Sequence, residues 1–271
     1  MILMEDVWFR YEDGTEALRG VTLQIEDNSA LAVMGKSGSG KTTLIKHLNG
    51  LLKPVKGRVL VDGMDTREAT VAQLSRKVGL VFQNPDHQLF AETVEEEIAF
   101  PLKNFGFPPE EIEKRVDWAL NLLDLADYRH DSPLSLSGGE KKRVAIASVV
   151  AWKPKYLVLD EPTLGQDYGR KLELKRLFEK LRREGHSIIM VTHDVEFAAE
   201  CKFKVALLVD GQILALGPAE EILSATELLK KASLTAPQLV ELFQRLEVKP
   251  PVFEVEEAER FILKLAGKAQ P

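Results

Sequence analysis

The segment Gly35-Lys36-Ser37-Gly38-Ser39-Gly40-Lys41-Thr42 has the residue types and spacing of a phosphate-binding loop. Glycines there let backbone N–H groups converge on phosphate oxygens, and the N-terminus of a following helix adds positive potential. Lys41 would neutralise the β- and γ-phosphates and Thr42 would ligate Mg²⁺, with Thr43 next to them within reach of the nucleotide. A glycine-rich turn can carry the same letters by chance. The setting favours the site, because the apolar run Ala30–Met34 leads into the loop and the helical stretch Lys41–Leu48 leaves it.

Two further segments carry chemistry. Tyr156-Leu157-Val158-Leu159 is an apolar run that ends in two carboxylates, Asp160 and Glu161. Successive strand residues point to opposite sides, so the two acids take different work. Asp160 suits the Mg²⁺ shell and Glu161 suits the attacking water, as general base. A strand ending in solvated acids would look the same in isolation. Leu136-Ser137-Gly138-Gly139-Glu140 reads first as a capping box, with Ser137 as N-cap of a helix over Lys141–Trp152 and Glu140 folding back. A cap does not require two glycines in the first turn, each costing ~1 kcal/mol relative to Ala. Gly138 and Gly139 instead suit the close approach of a second phosphate to the backbone. One chain fills its own loop with one nucleotide, so this second anion site would serve a facing subunit.

The elements that must position these groups follow from short runs rich in Val, Ile and Leu. Ala30–Met34, Arg58–Val61, Val78–Phe82, Tyr156–Asp160, Ser187–Thr192 and Val205–Val209 read as buried strands. Between several of them lie helical stretches, such as Ile112, Val116, Ala119, Leu120 and Leu123 on one face after Pro108-Pro109-Glu110. That alternation predicts an α/β protein with a largely parallel core sheet. Residues Ile2 to Ile25 alternate in period two around Asp13-Gly14, which predicts antiparallel strands at one edge. From about Asp86 to Lys153 no strand stands out, which predicts an inserted helical subdomain. After Gly217-Pro218 the chain turns helical and polar. Leu239, Leu242, Phe243 and Leu246 form one apolar stripe and Phe261, Ile262 and Leu265 another, with Pro250-Pro251 between them. The division expected is a nucleotide-binding domain over 1–220 and a small helical extension over 221–271.

Bulk properties narrow the partners. The 271 residues carry 36 Lys and Arg against 42 Asp and Glu, a net charge of −6. That balance disfavours nucleic acid, whose binding needs a basic stripe to displace counterions. The single Cys201 suits a reducing compartment. Met1 to Phe9 lacks the basic start of a secretory signal, and the longest uncharged apolar stretch, Val144 to Trp152, is far short of the ~20 residues that span a bilayer. The expectation is a soluble chain whose work at a membrane passes through a partner.

The set of motifs resembles the nucleotide-binding subunit of an ATP-binding cassette (ABC) transporter over residues 1 to about 220. GKSGSGKT resembles the Walker A loop, LSGGE the signature motif and YLVLDEP the Walker B strand. Further matches follow in the family's order: Gln83 for the Q-loop glutamine, Asp167 for the D-loop, His193 for the switch histidine, and Tyr11 for the aromatic that stacks on adenine. The resemblance implies a P-loop NTPase (ABC-type) fold, hydrolysis of ATP with Mg²⁺ held by Thr42, Gln83 and Asp160, and catalytic roles for Lys41, Glu161, His193 and Gln83. It also implies that Ser137, Gly138, Gly139 and Asp167 act on the nucleotide of a second ATPase subunit, a copy of this chain or a paralogue. Glu140 stands where Gln is commoner, and either completes the capping box; Gln166 stands where Leu is usual, which bears on the dimer interface.

A narrower resemblance lies in Gln83-Asn84-Pro85-Asp86-His87-Gln88, which is similar to the Q-helix of energy-coupling factor transporter ATPases. That family takes up vitamins or transition-metal ions. The resemblance implies contact from Gln83–Gln88 to an integral membrane coupling component, a separate substrate-binding membrane subunit, a dimerising C-terminal extension, and a place at the cytoplasmic face of the cell membrane. A soluble ABC-type ATPase working on nucleic acid is the rival class, but the chain has no room for a coiled-coil insertion and carries one cassette. A plain P-loop kinase or GTPase leaves LSGGE and His193 unexplained.

Overall fold

A computed structural model describes residues 1–247, 252–253 and 255–265. Among the described residues the strands form two sheets. The first is antiparallel, in the order β2 (Glu16–Ile25), β1 (Ile2–Arg10), β4 (Lys56–Val61), β5 (Met64–Asp65). The second runs β10 (Gln212–Pro218), β9 (Lys204–Val209), β3 (Ala30–Met34), β8 (Ser187–Thr192), β7 (Tyr156–Asp160), β6 (Val78–Val81). Its strands are parallel except β10, which returns antiparallel on β9.

The central sheet is buried on both faces, which is why its strands read as continuous apolar runs rather than alternating ones. Successive residues of one strand enter different cores. Val158 joins Leu31, Val33, Ile189 and Val191 in a core shared with β1, β2 and β4. Leu157 and Leu159 join Ala32, Met34 and Met190 in a second core on the opposite face. The helix α1 (Lys41–Leu48) is sandwiched in the first core through Leu44, Ile45 and Leu48. The second core takes its cover from helices α3 (Val94–Asn104), α4 (Pro109–Leu122) and α5 (Gly138–Val150), then α6 (Tyr168–Arg183) and α7 (Val195–Glu200). A short α2 (Val71–Ser75), with a capping box between Thr70 and Gln73, leads into β6.

Several expectations are met and a few corrected. Four of the predicted core strands occupy the central sheet within a residue of their expected bounds, and the fifth, Val78–Phe82, ends at Val81. Arg58–Val61 instead belongs to the antiparallel sheet, paired with β1. A short apolar run does not reveal which sheet it joins, because both sheets bury that face in one core. β10 was not anticipated, since its alternating burial is weak and Gly217-Pro218 suggested a helix start; it pairs with β9 through a tight turn at Gly211. The signature helix starts at Gly138 and ends at Val150, rather than running from Lys141 to Trp152.

Beyond β10 come α8 (Ala219–Ile222), α9 (Thr226–Lys231), α10 (Gln238–Arg245) and α11 (Val255–Leu265). Leu229 and Ala232 are buried in the main core, so the extension begins as part of the body. Phe243, Val252 and Ala258 then form a separate small core, with Leu239 and Phe261 against it and the Phe243 and Phe261 rings edge to face. The predicted stripes split, because Leu242, Leu246 and Ile262 stay exposed. Pro250-Pro251 and the side chain of Leu265 lie outside the described residues.

Candidate active site

β3 and β7 flank β8, so the loop after β3 and the acids after β7 emerge at the same carboxyl edge of the sheet. This is where ligands bind in open α/β sheets. The loop is wedged into its own fold. A Cβ at Gly35 would lie 2.1 Å from the Leu208 carbonyl oxygen, and one at Gly40, where φ is +103°, would lie 2.3 Å from that of Ala17. Only glycine fits either place. Lys41 is buried, and its Nζ donates to the carbonyl oxygens of Gly35 (2.8 Å) and Lys36 (2.9 Å). Burial pulls its ammonium below the usual lysine range, against the raising influence of Glu161 and Asp160. Lys36 in turn pairs with Asp210 at 2.9 Å.

Thr42 Oγ1 donates to Asp160 Oδ2 at 2.9 Å, while Asp160 Oδ1 is buried with no partner. Burial pushes the Asp160 carboxyl up, the Thr42 bond opposes this, and the neighbouring Glu161 charge adds to the rise. A buried carboxylate oxygen without a donor, beside a threonine hydroxyl, suits a divalent cation. Among the described residues no group of three or more His, Cys, Asp or Glu forms a self-sufficient metal cage. Such an ion would therefore take its remaining oxygens from phosphate and water, as Mg²⁺ commonly does.

Glu161 sits at φ +49°, a left-handed backbone that a non-glycine residue holds at some cost. Its N–H donates to the Val191 carbonyl (2.8 Å), and its Oε1 lies 3.0 Å from His193 Nδ1. Its Oε2 is buried without a partner, free to accept from a water. His193 itself is largely exposed at 60%. The backbone beside it is held by Asp194, which caps α7 at Phe197 N (3.0 Å) and pairs with Lys171 of α6 at 2.6 Å.

Two clefts open at the loop. One, of about 270 Å³, is lined by Tyr11, Ala17, Gly38, Gly40, Thr42 and Thr43. Tyr11 meets the Phe9 ring edge to face, and its hydroxyl is 2.9 Å from Thr43 Oγ1, leaving the ring beside the loop. The other, of about 390 Å³, brings Lys36, Ser37 and Lys41 together with Glu161 and His193.

Ser137, Gly138, Gly139 and Asp167 line neither cleft. The capping box forms as expected, Glu140 N donating to Ser137 Oγ and Ser137 N to Glu140 Oε2. Bonds from Ser137 and then Tyr128 hold the Glu140 carboxyl low. A Cβ at Gly138 would meet nothing within 4 Å, and one at Gly139 only the Gln166 side chain at 3.9 Å. This chain's own packing does not ask for glycine at either position. Asp167 caps α6, accepting from Arg170 N at 2.9 Å. Gln83 is exposed beyond the end of β6 and lines neither cleft.

The segment after it is braced rather than free. Gln88 Oε1 accepts from Phe82 N (3.1 Å), and its Nε2 donates to the Ala145 carbonyl of α5 (2.9 Å). Asn84 caps a short turn, and Asp86 pairs with Lys141 of α5 at 2.8 Å. Phe90 and Phe100 are both exposed and pack edge to face at 4.7 Å. Sequence reasoning passed over Phe100, since one aromatic on a helix gives no signal. It also missed Lys142, whose buried ammonium donates to the carbonyl oxygens of Glu161 (3.1 Å) and Leu164 (3.0 Å). Those acceptors are backbone atoms, invisible in a string of letters.

A parallel sheet with a phosphate loop, an acid pair at the adjoining strand end and a capped glycine helix defines a P-loop nucleotide hydrolase of cassette type. The ABC transporter family model matches residues 18–164. The chain belongs to the ABC transporter ATP-binding proteins. It is 43% identical to the energy-coupling factor transporter ATP-binding protein EcfA of Methanothermobacter thermautotrophicus, over 92% of this chain and 80% of that one. Among solved structures it is similar to cbiO1 from Clostridium perfringens, part of the ABC transporter complex cbiONQ, with TM-score 0.77, 34% identity and coverage of 91% and 98%. It is also similar to a dimeric ATP-binding cassette in a post-hydrolysis state bound to ADP and Pi, with TM-score 0.74, 30% identity and coverage of 81% and 99%. Membership implies ATP binding and hydrolysis. Among the described residues no helix is long and apolar enough to cross a membrane.

Proposed function

We propose that this chain is the ATPase of an energy-coupling factor-type importer, driving uptake of a vitamin or transition-metal ion through membrane subunits. The observation that carries the two-subunit part is the open space around Gly138 and Gly139 at a capped helix N-terminus. In this reading two ATPase subunits, copies of this chain or this chain and a paralogue, sandwich two nucleotides. Each loop faces the partner's Ser137-Gly138-Gly139, and Asp167 stands beside that joint.

Within one site the residues divide the work by position. Lys41 exchanges its two carbonyl acceptors for β- and γ-phosphate oxygens, and Tyr11 stacks on the adenine. Thr42 and Asp160 would hold Mg²⁺, with Gln83 joining them from outside the cleft, and the ion would supply charge neutralisation to the γ-phosphoryl group. Glu161 Oε2 accepts the proton of the attacking water, while the Oε1 contact to His193 fixes the carboxylate plane. His193 and the Ser137 helix N-terminus offer stabilisation to the phosphoryl oxygens.

The membrane coupling component meets the Gln83–Gln88 segment. The exposed Phe90–Phe100 pair supports this, since paired exposed aromatics beside a polar loop suit an interface anchor. Lys141 and Gln88 tie that segment to the signature helix, so motion at one would reach the other. Leu242, Leu246 and Ile262 offer the extension an apolar face for the second ATPase. The chain would thus sit at the cytoplasmic face of the membrane, and a separate membrane subunit would choose the cargo.

The test is molecular mass in solution. Glu161→Gln should bind ATP, lose nearly all turnover and accumulate as a dimer with ATP. Adding Ser137→Arg to that variant should return it to monomer. A dimer that survives Ser137→Arg would overturn the shared-site reading, and near-normal turnover in Glu161→Gln would overturn the general base. Co-purification with an integral membrane protein carries the transport part; tight nucleic-acid binding without one would replace it.

A further inference from the structure

The cleft that joins Lys41, Glu161 and His193 has a fourth wall from outside the seven motifs. Ser233, Leu234 and Thr235 line it, at the point where α9 passes into the C-terminal extension. This stretch is pinned at both ends. Ser233 N donates to the Lys230 carbonyl (3.0 Å) and Leu234 N to that of Leu229 (2.9 Å), the pair of bonds that closes a helix around a left-handed residue. Leu234 packs half-buried on the main core, leaving Ser233 and Thr235 exposed on either side of it. Three residues on, Gln238 N donates to Glu196 Oε1 at 2.7 Å. Glu196 lies on α7, three residues after His193. The stretch is therefore tied to the first turn of the helix that follows the histidine.

The left-handed place at the end of α9 is one that glycine fills most cheaply. Here it is Ser233, at φ +57°. His193, in turn, is held on one side by Glu161 Oε1 and is otherwise largely exposed. His193 and the stretch Ser233, Leu234 and Thr235 line the same cleft.

We propose that Ser233 and Thr235 are positioning residues for hydrolysis, confining His193 and the γ-phosphate end of the nucleotide against the phosphate loop. The inference rests on the ATPase reading above and adds that the C-terminal extension reaches back into the catalytic cleft of its own subunit. Through the Gln238–Glu196 bond, the placement of α10 is tied to the placement of the histidine.

The experiment is steady-state ATP hydrolysis by the full chain carrying Ser233→Gly and Thr235→Val, alongside Glu161→Gln. Glycine relieves the left-handed backbone, so Tm should hold or rise, whereas a purely structural role would lower Tm and activity together. We expect kcat to fall about five- to tenfold with KM for ATP within about twofold, because a small misplacement of reacting groups slows chemistry without weakening binding. Glu196→Ala should lower kcat in the same direction by a smaller factor. If Glu161→Gln is inactive and the double variant keeps kcat within about twofold of wild type, the positioning role is wrong while the site reading stands. If Glu161→Gln turns over normally, the site reading falls and this inference with it.

Discussion

The phosphate loop and the first turn of the signature helix are both glycine-rich ends of helices, yet their glycines answer to different things. Gly35 and Gly40 are pressed to 2.1 and 2.3 Å from carbonyl oxygens of the same chain, counted from a Cβ they lack. Gly138 and Gly139 face open space. The loop's glycines are required by its own fold, and those of the signature helix are not; the two-subunit proposal assigns them to a partner's nucleotide. Helix propensity makes the second pair the costlier choice for the monomer, by ~1 kcal/mol each relative to Ala.

The sharpest way to break this contrast is to place side chains in both regions. Gly139→Leu should leave Tm unchanged or raise it, and should cut turnover on the order of a hundredfold by blocking the approach of the partner's phosphates. Gly40→Val should do the reverse in kind, losing ~3 kcal/mol or more of stability through overlap with Ala17. Thermal melts and ATPase rates on the two variants check both. Equal destabilisation would remove the contrast.

Lys142 ties the signature helix to the acid-bearing strand end beside the phosphate loop, since its ammonium reaches the carbonyls of Glu161 and Leu164. Lys142→Met keeps the buried stem and deletes the donor, leaving two carbonyls wanting partners. Denaturant titration should show a loss of ~2 kcal/mol, and turnover should fall because Glu161 loses an anchor. Asp160→Asn should act in the opposite sense on stability. Removing a buried, half-satisfied charge should stabilise the protein on the order of 1 kcal/mol while abolishing Mg²⁺-dependent hydrolysis.

The smallest effect lies far from both, at the opposite edge of the central sheet. There the Met1 amino group, the Tyr156 hydroxyl and the Lys155 ammonium hold the Asp27 carboxyl down to about 2. Asp62 is held low as well, burial being outweighed by bonds from Lys155, Met1, Tyr156 and Lys77. A carboxylate whose folded value is depressed adds stability above its unfolded value, near 4, and loses it as pH falls toward the folded one. Urea midpoints should therefore drop between pH 4 and about pH 2, modestly because Asp27 is 54% exposed, and by less in high salt. No drop in that window would detach this corner from acid stability.

Much of the site was legible because local chemistry and local geometry coincide in it. A loop of glycines after a β-run, a hydroxyl after a lysine, and a Ser-x-x-Glu cap all complete themselves within a few residues, and α1 and the Ser137 cap formed where the letters put them. What was illegible involves partners distant in the chain. Arg58–Val61 could be read as a strand but not assigned to a sheet, because pairing with β1 is a contact across about fifty residues. The segment Gln83–Gln88 read as a contact surface for a membrane component, and the letters do not show that Gln88 also bonds backbone groups just past β6 and in α5. The extension read as a small helical appendage, and the letters do not show that Leu229 and Ala232 join the main core.

By itself, then, the sequence determined the kind of chemistry: a phosphate-binding loop, a carboxylate pair after a buried strand, and a glycine-rich capped helix. Side-chain type and short spacing suffice for that, since each motif is closed by neighbours along the chain. Only the tertiary structure decided which groups share a cleft. It placed Glu161 Oε1 against His193, hung Glu161 from Lys142, and brought Ser233 and Thr235 to the same wall. Those juxtapositions depend on strand order and on backbone acceptors, and neither leaves a mark on residue type.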